Sequence, residues 1–259
     1  MKLLEGRKGI VFGVANKRSI AWACAKAFSD AGMDLAFTYQ GDRLRESVEK
    51  LTAELPGETP LYPCDVTVDE EITSVFDQVG RDFGSLDLLL HSVAFARKDE
   101  LERGLVHTSR DGFLEAQNIS AYSLVALARG AMPLLEKSDS PSIITMTYYG
   151  AEKVARGYNL MGVAKASLEA CVRYLASDLG EKGIRVNAIS AGPINTLAAR
   201  GGIRGFTTML SHHAEQAPLR RNIEVEEVAK SALFLASDLG SGVTGEVLHV
   251  DCGYNIIAV

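Results

Sequence analysis

The chain has 259 residues, 47% hydrophobic and 23% charged, with a net charge of −6. That balance suits a globular protein and excludes intrinsic disorder, which requires less apolar content and more charge of one sign. It also argues against a nucleic-acid surface, and no apolar run approaches the roughly eighteen residues of a membrane span. Glu5, Gly6, Arg7 and Lys8 interrupt the stretch that a targeting peptide would keep apolar. Cys24, Cys64, Cys171 and Cys252 lie far apart without metal-ligand spacing. Reduced thiols in a cytoplasmic protein are therefore expected.

Strand and helix patterns alternate along the whole sequence. Gly9 to Val14 forms an apolar strand, and Ser19 to Ala31 a helix stopped by Gly32. Asp34 to Tyr39 is a second strand, followed by a charged amphipathic helix from Asp42 to Leu55 that ends at Pro56-Gly57. Thr59 to Pro63 is a short third strand, and a helix runs from Val68 to Phe83. Leu86-Asp87-Leu88-Leu89-Leu90 is the clearest buried parallel strand. Next come a long helix from Asp111 to Ala131, a strand from Ser142 to Thr147 and a helix from Asn159 to Leu179. Ile184 to Ile189 is the sixth strand, a looser Gly-rich stretch follows, and the chain ends with a helix at Glu224 to Ala236 and a strand at Glu246 to Val250. Seven strands joined by helices predict a parallel sheet covered on both faces, a single Rossmann-type α/β domain spanning residues 1–259. A closed eight-fold barrel would need another strand and helix.

In such a sheet a dinucleotide pyrophosphate meets the first helix, at Gly13-Val14-Ala15-Asn16-Lys17-Arg18-Ser19-Ile20-Ala21. Only Gly13 is a glycine there, so the turn departs from G-x-G-x-x-G. Ser19 can serve as helix cap or as a phosphate-contacting hydroxyl. At the end of the second strand Gln40 can bond a ribose 2′-hydroxyl but offers no charge to a phosphate, which favours NADH, with NADPH possible. Arg43 nearby either pairs with a 2′-phosphate or is a solvated first-turn residue. Asp65-Val66 is placed for the adenine, with Asp65 accepting from its amino group or capping the next helix. His91-Ser92-Val93-Ala94 ends the fourth strand beside the topological switch point, where Ser92 and the small Ala94 let the backbone approach a cofactor.

Tyr158 and Lys165 are seven residues apart, two turns along one helix face. A phenol needs a nearby cation to donate or relay a proton near neutral pH, since its ordinary pKa is about 10. Tyr148, just after the fifth strand, faces the same crevice, whereas Tyr149 in extended backbone points elsewhere. His212 and His213 are expected as surface residues of a helix rather than a metal or proton pair.

Three segments resemble the enoyl-acyl-carrier-protein reductases of bacterial type II fatty acid synthesis, divergent members of the short-chain dehydrogenase/reductase superfamily. They are the first turn, His91-Ser92, and Tyr158-Asn159-Leu160-Met161-Gly162-Val163-Ala164-Lys165-Ala166-Ser167. Arg185 to Pro193 and Gly245 to Asp251 resemble the superfamily at large. Ordinary members carry Tyr-x-x-x-Lys with a Ser thirteen residues earlier, but those positions here are Met161 and Tyr148. The reductase branch uses Tyr-x6-Lys with a second Tyr ten residues before the first, the spacing of Tyr148, Tyr158 and Lys165.

The resemblance implies that Tyr158 bonds the thioester carbonyl, Lys165 the nicotinamide ribose, and that Tyr148 lines the acyl pocket. Gly13, Ser19, Ile20, Gln40, Asp65, Val66, Ser92, Val93, Ala94, Ile194 and Thr196 match cofactor contacts. Asn118 matches an asparagine that orders a helix kink. It further implies a substrate-binding loop and helix around residues 195–215, an acyl carrier protein partner, and a homotetramer, for which the apolar end from Ile256 to Val259 suits an interface. Arg200 and Arg204 either meet that acidic partner or serve solubility. No metal is expected, since no His, Cys and Asp cluster has metal-ligand spacing. Cys252 replaces a glycine of the family's Val-Asp-Gly-Gly ending, a position of packing and assembly. A short-chain carbonyl reductase and a non-catalytic dinucleotide-binding regulator are the other functions that this fold would host. Met161 argues against the first, and the complete Tyr148, Tyr158 and Lys165 set against the second.

Overall fold

The computed structural model describes residues 2–202 and 205–258. One sheet of seven strands organises the chain: β1 (Lys8–Phe12), β2 (Asp34–Tyr39), β3 (Leu61–Pro63), β4 (Leu88–His91), β5 (Ser142–Thr147), β6 (Arg185–Ala191) and β7 (Val247–Val250). All pairs are parallel and the spatial order is β3-β2-β1-β4-β5-β6-β7. The order reverses between β1 and β4, which opens a crevice beyond their carboxyl ends.

Strand alternation divides the core in two. Val11, Leu88, Leu90 and Ile144 face one layer with Trp22, Phe28, Val228 and Leu235. Ile10, Phe12, Leu89 and Ile143 face the other with Val75, Leu124, Leu127 and Leu168. The first layer is built by α1 (Ile20–Asp30), α2 (Gly41–Thr52) and, later in the chain, α10 (Val225–Ala236). The second holds α3 (Asp69–Asp82), α6 (Ser123–Leu135) and α7 (Asn159–Gly180).

The long helix expected from Asp111 to Ala131 is not uniform. It comprises α5 (Arg110–Gln117), a π-helical turn at Asn118–Tyr122 and then α6. Two hydroxyls explain where the ladder loosens. Ser123 donates to the carbonyl of Ile119 at 2.7 Å, and Ser120 both donates to the carbonyl of Phe95 and accepts from its amide. Two short helices absent from the sequence pattern also occur, α4 (Lys98–Glu102) and α8 (Leu197–Gly202), and the helix expected around residues 195–215 is α9 (Phe206–Gln216).

His91, at the end of β4, is fully buried and bridges the two central strands to this helix. Its Nδ1 lies 2.7 Å from the Thr145 hydroxyl and its Nε2 2.8 Å from that of Ser123. Because Ser123 donates its proton to Ile119, its oxygen accepts from Nε2–H, which leaves Nδ1 to accept from Thr145. Burial, aided by the charge of Lys165, pushes the imidazole pKa down to about 3, so His91 is neutral at pH 7. Thr145→Val removes the proton donor to a buried nitrogen and should lower the unfolding free energy by about 1–3 kcal/mol. Urea titration followed by the fluorescence of Trp22, the single tryptophan, measures it.

Candidate active site

The crevice at the switch point is one cavity of about 1260 Å³ that runs from the first turn to α9. Gly13, Ser19, Ile20, Gln40, Asp65, Val66, Ser92, Val93, Ala94, Ile194 and Thr196 all line it, as do Tyr148, Tyr158 and Lys165. Folding therefore gathers these residues around one space, whereas Arg43, the candidate partner of a 2′-phosphate, is exposed and does not line it.

At the first turn Gly13 has φ +100°, and a Cβ there would stand 2.1 Å from the carbonyl oxygen of Ser92. Only glycine permits both that conformation and that approach. The Ser19 hydroxyl folds back to accept from the amides of Ala15 and Asn16 at 3.2 and 3.0 Å, so it braces the turn and does not cap α1. The start of α1 is thus left without a side-chain cap beside the cavity, an arrangement that suits an anionic pyrophosphate. Across the crevice Gln40 Nε2 donates to Asp65 Oδ2 at 2.7 Å, while Oδ1 accepts from the amide and hydroxyl of Thr67. Helix α3 starts at Asp69 with Val68 before it, so Asp65 is not its cap. These residues fit an adenosine end bearing neutral ribose hydroxyls.

At the other end, Tyr148 and Tyr158 meet edge to face with ring centroids 4.9 Å apart. Tyr148 donates to Met209 Sδ at 3.5 Å, linking the site to α9. Tyr149 does not line the cavity and packs on Tyr254, but it opens a 3-10 turn (Tyr149–Ala151) and is not in the extended backbone expected from the sequence. Leu101, Leu114, Met161, Phe206 and Met209 supply an apolar wall of the same cavity. Gly150, which sequence spacing did not mark, lies flat against both rings. A Cβ on it would come within 2.6 Å of Tyr158 Cδ1 and 3.0 Å of Tyr148 Cδ1.

Lys165 is buried and donates from Nζ to the carbonyl of Met146 at 2.8 Å. Burial lowers its pKa from 10.5 to about 8, partly offset by the charge of Glu169. Glu169, one turn further along α7, accepts from the Thr147 hydroxyl at 2.6 Å. Burial first, and then Tyr148 and Glu169, push the Tyr158 phenol well above its ordinary range. Tyr158 is therefore a neutral hydrogen-bond donor. Lys165 does not turn it into a more acidic phenol, which revises the role that spacing alone had suggested.

A family profile described as Enoyl-(Acyl carrier protein) reductase matches residues 13–255. The chain belongs to the enoyl-acyl-carrier-protein reductase family. It is 53% identical over 258 residues to the FabI enoyl-acyl-carrier-protein reductase (NADH) of Bacillus cereus, covering 99% of this chain and 100% of that one. It is 50% identical over 255 residues to the NADPH enzyme of Staphylococcus aureus, with 98% of each covered. The crystal structure of the Bacillus cereus reductase with NADP+ and indole naphthyridinone superposes over the full length of both chains, with TM-score 0.97 and 52% identity.

Other features of this reductase were less visible beforehand. Asn118 lines the cavity where the π-helical turn begins, in keeping with the expected kink. Thr196 accepts from the amide of Ala199 at 3.1 Å and so starts α8. His213 corrects the sequence expectation. It is buried, stacks on Tyr254 with centroids 4.8 Å apart, and donates from Nδ1 to Asn222 at 3.0 Å, whereas His212 is exposed. The four cysteines are free, and burial pushes Cys24 and Cys64 up to about 12. Arg204 lies outside the described residues.

Keeping Lys165 charged inside the cavity opposes folding below pH 8, and the cost fades as pH rises towards 10.5. Lys165→Met should therefore be more resistant to urea than the parent at pH 7, by up to roughly 3 kcal/mol, with the gap closing above pH 10.

Proposed function

We propose that this reductase reduces the trans-2 double bond of enoyl thioesters borne by acyl carrier protein, with NADH as preferred coenzyme, Tyr158 and Lys165 as catalytic residues and Tyr148 beside the acyl chain. The observation that carries this reading is the meeting of the two tyrosines and a buried lysine where a dinucleotide crevice runs into an apolar wall.

A bound reduced nicotinamide supplies a hydride for the β-carbon of the substrate. The thioester oxygen then gains negative charge, and that is where this chain acts. Tyr158, neutral and lodged against Gly150, offers its O–H to that oxygen. Lys165 adds a positive charge behind it and is the residue to hold the nicotinamide ribose. Tyr148 narrows the space beside the reacting carbons and excludes water, and Met161, Phe206 and Met209 provide contact for an alkyl chain. Ile194 and Thr196, after Pro193, line the cavity and would hold the nicotinamide amide.

Gln40 and Asp65 support the coenzyme preference. An uncharged carboxamide tied to a carboxylate suits ribose hydroxyls and disfavours a 2′-phosphate, and Arg43 stands exposed on α2. We assign the protein to the cytoplasm; no described helix is long and apolar enough to cross a membrane. Exposed Arg200 suits an acidic carrier protein, and exposed Ile256 suits a subunit contact in a homotetramer.

Loss of NADH absorbance with a trans-2-enoyl thioester tests the assignment. Rapid turnover is expected with NADH, slower turnover with NADPH, and a fall of about 100-fold or more in kcat for Tyr158→Phe. Reduction of a small ketone without reduction of the enoyl thioester would overturn it. Since Lys165 loses its proton near pH 8 while Tyr158 stays protonated, kcat/KM for NADH should decline as pH rises through about 8. A profile flat to pH 10 would remove Lys165 from this role.

A further inference from the structure

Asn159 follows Tyr158 and opens α7 with φ +36°, in the left-handed region that side-chain-bearing residues avoid unless they are Asn or Asp. Its side chain reaches away from its own helix. Nδ2 donates to the carbonyls of Leu101 and Arg103, both at 2.6 Å. Those carbonyls close α4, which as a five-residue helix cannot satisfy its last acceptors internally. Asn159 thus caps a neighbouring helix, and it does so one peptide bond from Tyr158.

Helix α4 is held from its other side as well. Glu100 is buried, and its carboxylate accepts from the Ser109 hydroxyl at 2.5 Å and the Ser109 amide at 3.1 Å. Ser109 in turn caps α5 by accepting from the Gly112 amide at 3.0 Å. A continuous run of polar contacts therefore joins the start of α5 to α4 and α4 to the start of α7. Leu101, whose carbonyl Asn159 holds, also lines the active-site cavity. On its opposite flank the Tyr158 ring rests on Gly150, and Gly150 is fixed because α7 approaches at Gly162, where a Cβ would lie 2.7 Å from the Gly150 carbonyl oxygen. The ring has one wall in Gly150, and the backbone that carries it is anchored through Asn159.

We infer that Asn159 is a positioning residue for the reduction: its clasp on α4 sets the start of α7, and through it the reach of the Tyr158 phenol relative to the pocket wall at Leu101. This rests on the reading of Tyr158 as the donor to the thioester oxygen. Asn159 itself touches neither substrate nor coenzyme in this scheme. Its loss should impair the chemical step while leaving coenzyme binding intact, because the crevice around Gly13, Gln40 and Asp65 is built by other elements.

Asn159→Gly tests this, since glycine accepts the left-handed backbone while removing the side chain that donates to α4. A misplacement of the phenol on the order of 1 Å should lower kcat by about 10- to 100-fold. KM for NADH, and NADH affinity by fluorescence titration, should stay within about twofold, as expected for loss of an interaction made only in the transition state. The same substitution in a Tyr158→Phe background should reduce the residual rate little further, because residues acting through one group are not additive. Should Asn159→Gly fold poorly by thermal unfolding, Asn159→Asp replaces it, matching size and backbone tolerance but presenting oxygen to the two carbonyls.

Wild-type kcat in the tested variant, alongside a collapsed Tyr158→Phe, would overturn the role of Asn159 and spare that of Tyr158. Equal fold-losses in both backgrounds would overturn it too, since Asn159 would then act independently of the phenol. Full activity of Tyr158→Phe would remove the reading on which the inference rests.

Discussion

The close contact between the ends of β1 and β4 is the constraint on which the site depends. Phe12 pairs with His91, the Ser92 amide donates to Phe12, and Gly13 then turns directly against the Ser92 carbonyl. Beyond that point the chain leaves the sheet in two directions, one towards α1 and one towards α4. The crevice between them follows from parallel pairing and right-handed connections, and it is where a dinucleotide can lie. A side chain at position 13 would force the two strand ends apart, so the geometry of the whole cavity hangs on a hydrogen atom there.

Electrostatically the reactive end is a place where stability is given up. A lysine, a glutamate, two tyrosines and a neutral histidine lie within or directly behind the cavity, with few charges to offset one another. Low polarity keeps the phenols protonated and weakens the hold of Lys165 on its proton. The same low polarity strengthens any interaction with charge that develops on a bound thioester. Packing at Gly150 and Gly162, together with the polar contacts around α4, fixes the groups that this environment makes potent.

Much of this was legible in the sequence because strand burial leaves a strong signature. Leu88-Leu89-Leu90 and Ser142 to Thr147 face apolar layers on both sides, so their composition alone identifies them. The spacing of Tyr148, Tyr158 and Lys165 was equally visible, but the shared helix face inferred from it is not what joins them, since Tyr158 precedes α7 and the backbone leaves the helical region at Asn159. The interruption between α5 and α6 was not visible in the residue periodicity, and only the resemblance at Asn118 pointed to a kink there. It depends on Ser120 and Ser123 finding partners at Phe95, Ile119 and His91, and a serine in a helix pattern does not announce where its hydroxyl will go. His213 was misplaced for a related reason, because its burial comes from Tyr254, forty-one residues further along the chain.

The sequence by itself determined the order of strands and helices, the glycine at the first turn, and the family to which the Tyr148, Tyr158 and Lys165 spacing points. These are local properties, written in periodicity and residue type. Tertiary structure alone decided that Ser19 braces its turn, that Gln40 is tied to Asp65, that Lys165 is buried against the Met146 carbonyl, and that Asn159 clasps α4. Each is a choice of hydrogen-bond partner between segments that meet only when the sheet assembles. A donor's identity is fixed by its residue type, but its acceptor is fixed by which backbone the fold brings within about 3 Å of it.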